Sequence, residues 1–273
     1  MNGHQGPKKR FFGQRPPGPR PSGGEKGWQH VAGWYASHLD SEHNYQQTLV
    51  FPGALKLLAP QAGRTYLDIA CGEGSFAEML VKNGARAVGF DAAAALVERA
   101  RRRGLVGAEF LVGDARRFPD AVRSRRFDGA VCILAIQNIP DMKAVFGAAA
   151  GVLEAGAPFI VVTNHPAFRV PRQSEWGWDE TKKISFRRLD RYLTPLDIPI
   201  LMNPGGRGRP VTTMTHHRPI GAYVSALAEA GFVIDALEEW VSDRESDPGK
   251  RSKAENRARS EFPLFLAIRA RKN

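Results

Sequence analysis

The sequence predicts an α/β protein whose core is a parallel, doubly wound sheet with helices on both faces. Three observations carry that prediction. Between residues 65 and 164, strand-like and helix-like segments alternate with short connections, the pattern of consecutive strand–helix–strand units. The strand-like runs, "AVGF", "GAVCILAI" and "FIVV" among them, are apolar on successive residues, as strands covered on both sides must be. The first run ends in a small glycine-rich turn, "ACGEG" at 70–74, before a helical pattern resumes.

The elements follow in order. From 28 to 58 the apolar spacing is helical: Trp34, His38 and Leu39 share a face, and Pro52 stands near the start of a second apolar group, where the first turn of a helix accepts it. Strands are expected over 65–71, 85–91, 108–114, 127–134 and 157–164, with helices over 75–83, 92–103 and 141–154. The rhythm stops after Asn164. Residues 165–215, rich in proline, arginine and aromatic residues, are too long for an ordinary connection. Within them "KISFRRLDRYL" alternates like a strand, with "GRPVTTMTHH" as its expected hairpin partner. "IGAYVSALAEAG" then reads as a helix closed by Gly231, "FVIDALEEW" as a strand, and "FPLFLAIRA", after a charged stretch at 243–260, as the last strand. There is no internal repeat.

The chain has 273 residues, 42% of them hydrophobic, enough for one large α/β unit with additions. No apolar run approaches the ~20 residues of a membrane helix, and the N-terminus lacks a secretory apolar segment; a cytoplasmic location without membrane contact is expected. A formal net charge of +11 and a pI of about 10.0 allow a nucleic-acid partner or an anionic small molecule. In residues 1–27, Lys8, Lys9, Arg10, Arg15, Arg20 and Lys26 face only Glu25 within a Gly/Pro-rich background. Such a segment buries too little apolar surface to fold and is expected to be a disordered basic tail, either solubilising or phosphate-seeking. Cys71 and Cys132 both fall in expected strands and read as reduced core thiols; no metal site is expected.

The turn at 70–74 brings main chain close to a ligand. Small residues at 70, 72 and 74 leave room there, Gly72 or Gly74 can adopt positive φ, and Ser75 suits the helix N-cap. The spacing differs from G-x-G-x-x-G, and no Lys-Ser/Thr pair follows, so neither a dinucleotide fingerprint nor a P-loop fits. Three acids are more telling. Asp68 precedes the turn. Asp91 ends the second strand, where a carboxylate can accept from both hydroxyls of a ribose. Asp114 ends the third, where an exocyclic amine of adenine would lie. One such acid is often only a cap or Asx-turn; three at successive strand ends point to an adenosine-containing ligand.

With these motifs the chain resembles the class I S-adenosylmethionine-dependent methyltransferases, especially the small single-domain ones, over roughly 30–270. The resemblance implies a Rossmann-like, seven-stranded sheet with its last strand antiparallel, a methyltransferase domain over 28–273, a helical cap over 28–60 and an acceptor-site insertion, a lid after strand five, over 165–215. It implies S-adenosylmethionine as cofactor. The donor's methionine portion would run along Asp68, Ala70, Cys71, Gly72 and Gly74, its ribose would rest on Asp91, its adenine beside Asp114 and Ala115, and its reactive end near Leu134. Ala70 departs from the commoner glycine, which a negative φ would tolerate. Tyr35, in "WYASHL", would close over the donor, although a Trp-Tyr pair on an amphipathic helix also suits a core.

Methyl transfer from a sulfonium is an in-line displacement in which the protein chiefly aligns the partners, an effect worth about 7–11 kcal/mol. A base is needed only where the acceptor must lose a proton. Gln137 and Asn138 follow strand four; His165 follows strand five; His217 and Arg218 open the next helix. His165 and His217 are the candidate bases because imidazole titrates near neutrality, and both also suit turn or capping roles. The insertion is expected to offer Phe168, Arg169, Trp176 and Trp178 to the acceptor; Arg169, Arg172, Lys182, Lys183, Arg187, Arg188, Arg191, Arg207 and Arg209 suit orienting a carboxylate or phosphate and equally suit a solvated face or a dimer contact. "NHPA" is a poor match to the NPPY-like tetrapeptide of enzymes that methylate base amines. The leading expectation is methylation, at O, N or C, of a small acceptor, with an anion as one option. RNA methylation through the basic tail and non-catalytic binding of the same cofactor stand beside it.

Overall fold

The computed structural model describes residues 44–202 and 211–273; the expected tail, Tyr35, Arg207 and Arg209 lie outside them. A π-helical turn, Gln46–Val50, runs into α1 (Phe51–Leu58), with Pro52 in its first turn. Strands and helices then alternate as β1 (Thr65–Ile69), α2 (Ser75–Lys82), β2 (Arg86–Asp91), α3 (Ala94–Arg102), β3 (Ala108–Val112), α4 (Asp120–Arg123), β4 (Gly129–Ile133), α5 (Met142–Val152) and β5 (Pro158–Asn164). The Asp141 carboxylate accepts from the Ala144 amide at 3.0 Å and starts α5, as an N-cap acid should.

After β5 come two hairpins. β6 (Ser174–Asp179) pairs with β7 (Ile184–Leu189), and β8 (Leu196–Met202) with β9 (Val211–His217). The strand expected in "KISFRRLDRYL" is therefore present, but its partner is "SEWGWD" rather than "GRPVTTMTHH". α6 (Ile220–Glu229), β10 (Phe232–Trp240), α7 (Ser252–Glu261) and β11 (Phe265–Lys272) complete the chain. Gly231 ends α6 at φ 83°. Helix α7, unforeseen within the charged stretch, buries only Ala258.

The main sheet has seven strands in the order β10-β11-β5-β4-β1-β2-β3. β11 runs antiparallel to both of its neighbours, and the pairings from β5 through β3 are parallel. Successive residues enter opposite cores. Tyr66, Val131, Ile133, Ile160 and Val162 pack with α1, α2 and α3; Leu67, Ala130, Cys132, Phe159 and Val161 pack with α5 and α6. This is the period of two of a strand buried on both faces. Strand order reverses between β1 and β4, so the crevice beyond their carboxyl ends is the natural ligand site. Among the described residues no helix is long and apolar enough to cross a membrane.

Phe159 joins the α5 side of the core, with its ring 5.8 Å from Phe146 and 5.4 Å from Phe232 between centroids. Replacing it by alanine removes both contacts and leaves a cavity, so Phe159→Ala should cost about 3–5 kcal/mol in urea unfolding. A loss below about 1 kcal/mol would show that this side of the sheet collapses around the gap.

Candidate functional site

β1 delivers Asp68 to the reversal point of the sheet, and the chain then bends sharply. Ala70, Gly72 and Gly74 take left-handed φ angles of 57°, 57° and 79°. The Cys71 amide donates to the Phe90 carbonyl at 3.0 Å, and the Gly72 amide to Asp91 Oδ2 at 3.0 Å. A Cβ on Gly74 would lie 2.7 Å from the Phe110 ring, whereas one on Gly72 would meet nothing within 4 Å. Gly72 is thus required for its φ, and the space over it is open. Ala70 corrects the expectation of a negative φ: it sits in the region that disfavours a side chain, at a cost of about 1–3 kcal/mol. Leu134, at the exit of β4, is held the same way at φ 53°. Ser75 is not the N-cap. Gly74 occupies that position, and the Ser75 hydroxyl accepts from Arg103 at 3.1 Å.

Asp91 anchors the bend. Besides Gly72, the Ala93 amide donates to its Oδ1 at 2.8 Å, leaving further lone pairs on each oxygen. Asp68 is 3% exposed, and its Oδ2 has no hydrogen-bond partner. Burial first, then the nearby Asp91 charge, push its pKa up to about 8. Asp114 differs from both: Arg116 engages its two oxygens through Nε and Nη2 and donates its amide at 2.8 Å. Hydrogen bonding from Arg116 holds that carboxyl below its usual range. Cys71 lies just past β1, half-buried, and burial pushes its thiol pKa well up.

A cleft of about 570 Å³ opens beyond the strand ends. Asp68, Ala70, Cys71, Gly72, Asp91, Asp114, Ala115 and Leu134 all line it, joined by Phe76, Leu96, Ile139 and Pro140. Gly74 supports the bend without reaching the wall. Among the described residues no group of three His, Cys, Asp or Glu side chains suits a metal ion.

Neither expected base lies in the cleft wall. His165 is 1% exposed; its Nδ1 accepts from the Ala167 and Phe168 amides, and its Nε2 donates to Glu239 at 2.7 Å. Both ring nitrogens thus organise the strand exit. His217 Nε2 donates to the Tyr192 carbonyl at 2.7 Å. His216 and Met214, one strand period away from each other, line the cleft instead. Adjacent residues of a strand face opposite ways, so "HH" in the sequence offered two faces, and His217 is on the one turned from the cleft.

Gln137 donates to the Leu134 carbonyl at 2.7 Å and accepts from the Thr163 hydroxyl, fixing the β4 exit; Asn138 lines the cleft. Arg218 clamps the same turn through the Ile139 and Pro140 carbonyls. The acceptor contacts expected from residues 168–188 are corrected. Phe168 stacks on His165, Trp176 packs edge-on to Phe262, and Trp178 lies under Arg251. Arg169 sits over Phe265. Arg172, Lys183, Arg187 and Arg188 bond to Pro199, Glu180, Ser174 and Asp190 respectively, and none of them lines the cleft.

Residues 67–156 match the methyltransferase domain family. The ubiquinone biosynthesis O-methyltransferase of Xylella fastidiosa is 27% identical over 135 residues, which are 49% of this chain and 55% of the relative. The 2-phytyl-1,4-naphtoquinone methyltransferase of Synechococcus elongatus is 32% identical over 153 residues, 52% of this chain and 60% of its own length. The chain therefore spans little more than half the length of these curated relatives. The crystal structure of an S-adenosylmethionine-dependent methyltransferase from Mesorhizobium loti superposes with a TM-score of 0.64 at 25% identity, over 81% of this chain and 96% of that one.

Asp68 gives the site a pH signature. With its folded pKa raised to about 8, the folded protein keeps a proton that the unfolded chain loses near pH ~4. Stability should therefore fall as pH rises from about 4 to about 8. Asp68→Asn should flatten that decline in urea midpoints compared at about pH 5 and about pH 8.5. The same slope in variant and wild type would show that Asp68 ionises normally.

Proposed function

We propose that this chain, which belongs by sheet topology and domain match with the class I S-adenosylmethionine-dependent methyltransferases, transfers a methyl group from S-adenosylmethionine to a small molecule. One observation carries the reading: an unpartnered, buried Asp68 oxygen and a two-amide Asp91 clasp flank a main-chain bend with open space above it. An amino-acid sulfonium linked to a ribose, with cationic ammonium and sulfonium groups, matches that layout. Asp68 would meet the ammonium group, Ala70, Cys71 and Gly72 the methionine portion, and Asp91 the ribose hydroxyls. Because Arg116 already saturates Asp114, the purine would rest mainly on Leu96 and Ala115. Leu134 would border the reactive end, and Gly74 would act through the bend.

When bound, the cofactor supplies a methyl group already activated on sulfur. The protein's own task is alignment and exclusion of water. The strained Leu134, tied down by Gln137, and the apolar walls at Ile139, Pro140 and Met214 serve both ends. The quinone-related names of the two sequence relatives support a small acceptor. Arg116 is the one arginine or lysine in the cleft wall among the described residues, against the acids Asp68, Glu73, Asp91 and Asp114. That balance favours a neutral acceptor over the anionic one that composition allows.

Isothermal calorimetry with S-adenosylmethionine tests the reading. Asp91→Ala removes the clasp, and Gly72→Val forces a branched side chain into a left-handed φ. Each should weaken binding about tenfold or more, a difference of about 1.4 kcal/mol, while circular dichroism shows the fold intact. Unchanged affinity in both variants would remove the cofactor from this cleft.

A further inference from the structure

We infer that His216 is the general base of this site, that Asp197 is its positioning residue, and that the acceptor atom is a weakly acidic hydroxyl on an aromatic ring. The inference rests on the methyl-transfer reading above and names the substrate class that reading leaves open. In the β8–β9 register Asp197 and His216 stand directly opposite, and Asp197 Oδ1 lies 2.6 Å from His216 Nδ1. An ionised carboxylate can only accept, so Nδ1 carries a ring proton, and in the neutral imidazole the lone pair is then on Nε2. The His216 side chain is 11% exposed and contributes to the cleft wall. No described residue hydrogen-bonds to Nε2, in contrast to His165 and His217, whose Nε2 atoms are engaged.

The hairpin that carries the pair is fixed to the catalytic end of the sheet. The Thr215 hydroxyl donates to Asn138 Oδ1 at 3.2 Å, and Asn138 lines the cleft just beyond β4. A base, its orienting carboxylate and an anchored support are the parts that general-base catalysis requires. Ile139, Pro140 and Met214 beside His216 give an aromatic ring an apolar seat. A phenolic hydroxyl, with an acidity like that of tyrosine near pH ~10, is within reach of an imidazole once attack begins.

In the step, His216 Nε2 takes the hydroxyl proton while the oxygen lone pair forms the new bond to the methyl carbon. The methyl–sulfur bond breaks with its electron pair left on sulfur, which turns the sulfonium into a neutral thioether. The imidazolium then gives its proton to solvent. Charge balances: one positive charge enters on the sulfonium and one leaves as the proton.

The test compares two catechols with radiolabelled S-adenosylmethionine at neutral pH: 4-methylcatechol, whose hydroxyls are protonated, and 4-nitrocatechol, which is already ionised. His216→Gln should lower kcat on 4-methylcatechol about 10²–10⁴-fold, with less than about a tenfold loss on 4-nitrocatechol and unchanged cofactor affinity. Asp197→Asn should fall in the same direction and move the acid limb of the kcat/KM profile. The other ionisable side chains of the cleft, Asp68, Cys71, Glu73, Asp91, Asp114 and Arg116, stay in place in both variants. Equal losses on the two catechols, or none, would overturn the base assignment. A wild type that binds S-adenosylmethionine yet methylates neither catechol would overturn the hydroxyl assignment and leave the donor reading standing. A wild type that fails to bind the cofactor would defeat the reading on which both depend.

Discussion

Two main-chain amides, from Gly72 and Ala93, converge on the carboxylate of Asp91, and the cleft depends on that convergence. It ties the bend after β1 to the exit of β2, across the strand pair nearest the reversal of the sheet. With the Cys71 amide on the Phe90 carbonyl, it stabilises a backbone that turns left-handed at 70, 72 and 74. Such a run is costly where a side chain is present. Gly72 and Gly74 remove most of that cost, and Ala70 retains part of it. The strain is local, and two packed cores above and below the sheet absorb it.

The same rim gathers carboxyl groups where solvent is scarce. Asp68 is buried with one oxygen unpartnered, beside a second carboxylate, and its raised pKa is the physical consequence. A cationic ligand relieves this arrangement by favouring the ionised form. Opposite the rim, the β4 exit is fixed by Gln137, Thr163 and Arg218, so that Leu134 meets the cleft in a defined position. The donor side is thus built from the sheet itself. The cleft wall at Met214 and His216 comes from the second hairpin after β5, a separate addition held through Thr215 and Asn138.

The division explains what the sequence made legible. Strands buried on both faces announce themselves as apolar runs, and the acids at their ends are found by counting to the end of each run. Hence β1 to β5, Asp68 and Asp91 could be placed from residues alone. The hairpins could not. Alternation in "KISFRRL" marks a strand but says nothing of its partner, and "SEWGWD" is too polar and too exposed to stand out. Helix α7 packs through a single alanine, so it leaves no apolar stripe to read. The choice between His216 and His217 needed the register of β9, which the spacing of two adjacent histidines does not contain. The strain at Ala70 was not legible because the residue type does not state the sign of φ, and only the fold decides. Asp114 was found in the right place, yet its pairing with Arg116 required knowing how the loop after β3 curls.

The central claim is that the bend at 70–74 and the Asp91 clasp seat an adenosyl group. A crystal structure of the protein with S-adenosylhomocysteine tests it most directly. The ribose hydroxyls are expected on the Asp91 carboxylate, the homocysteine chain over Gly72, and its ammonium group against Asp68. A ligand bound elsewhere on the molecule, or in this cleft with its ribose away from Asp91, would contradict it.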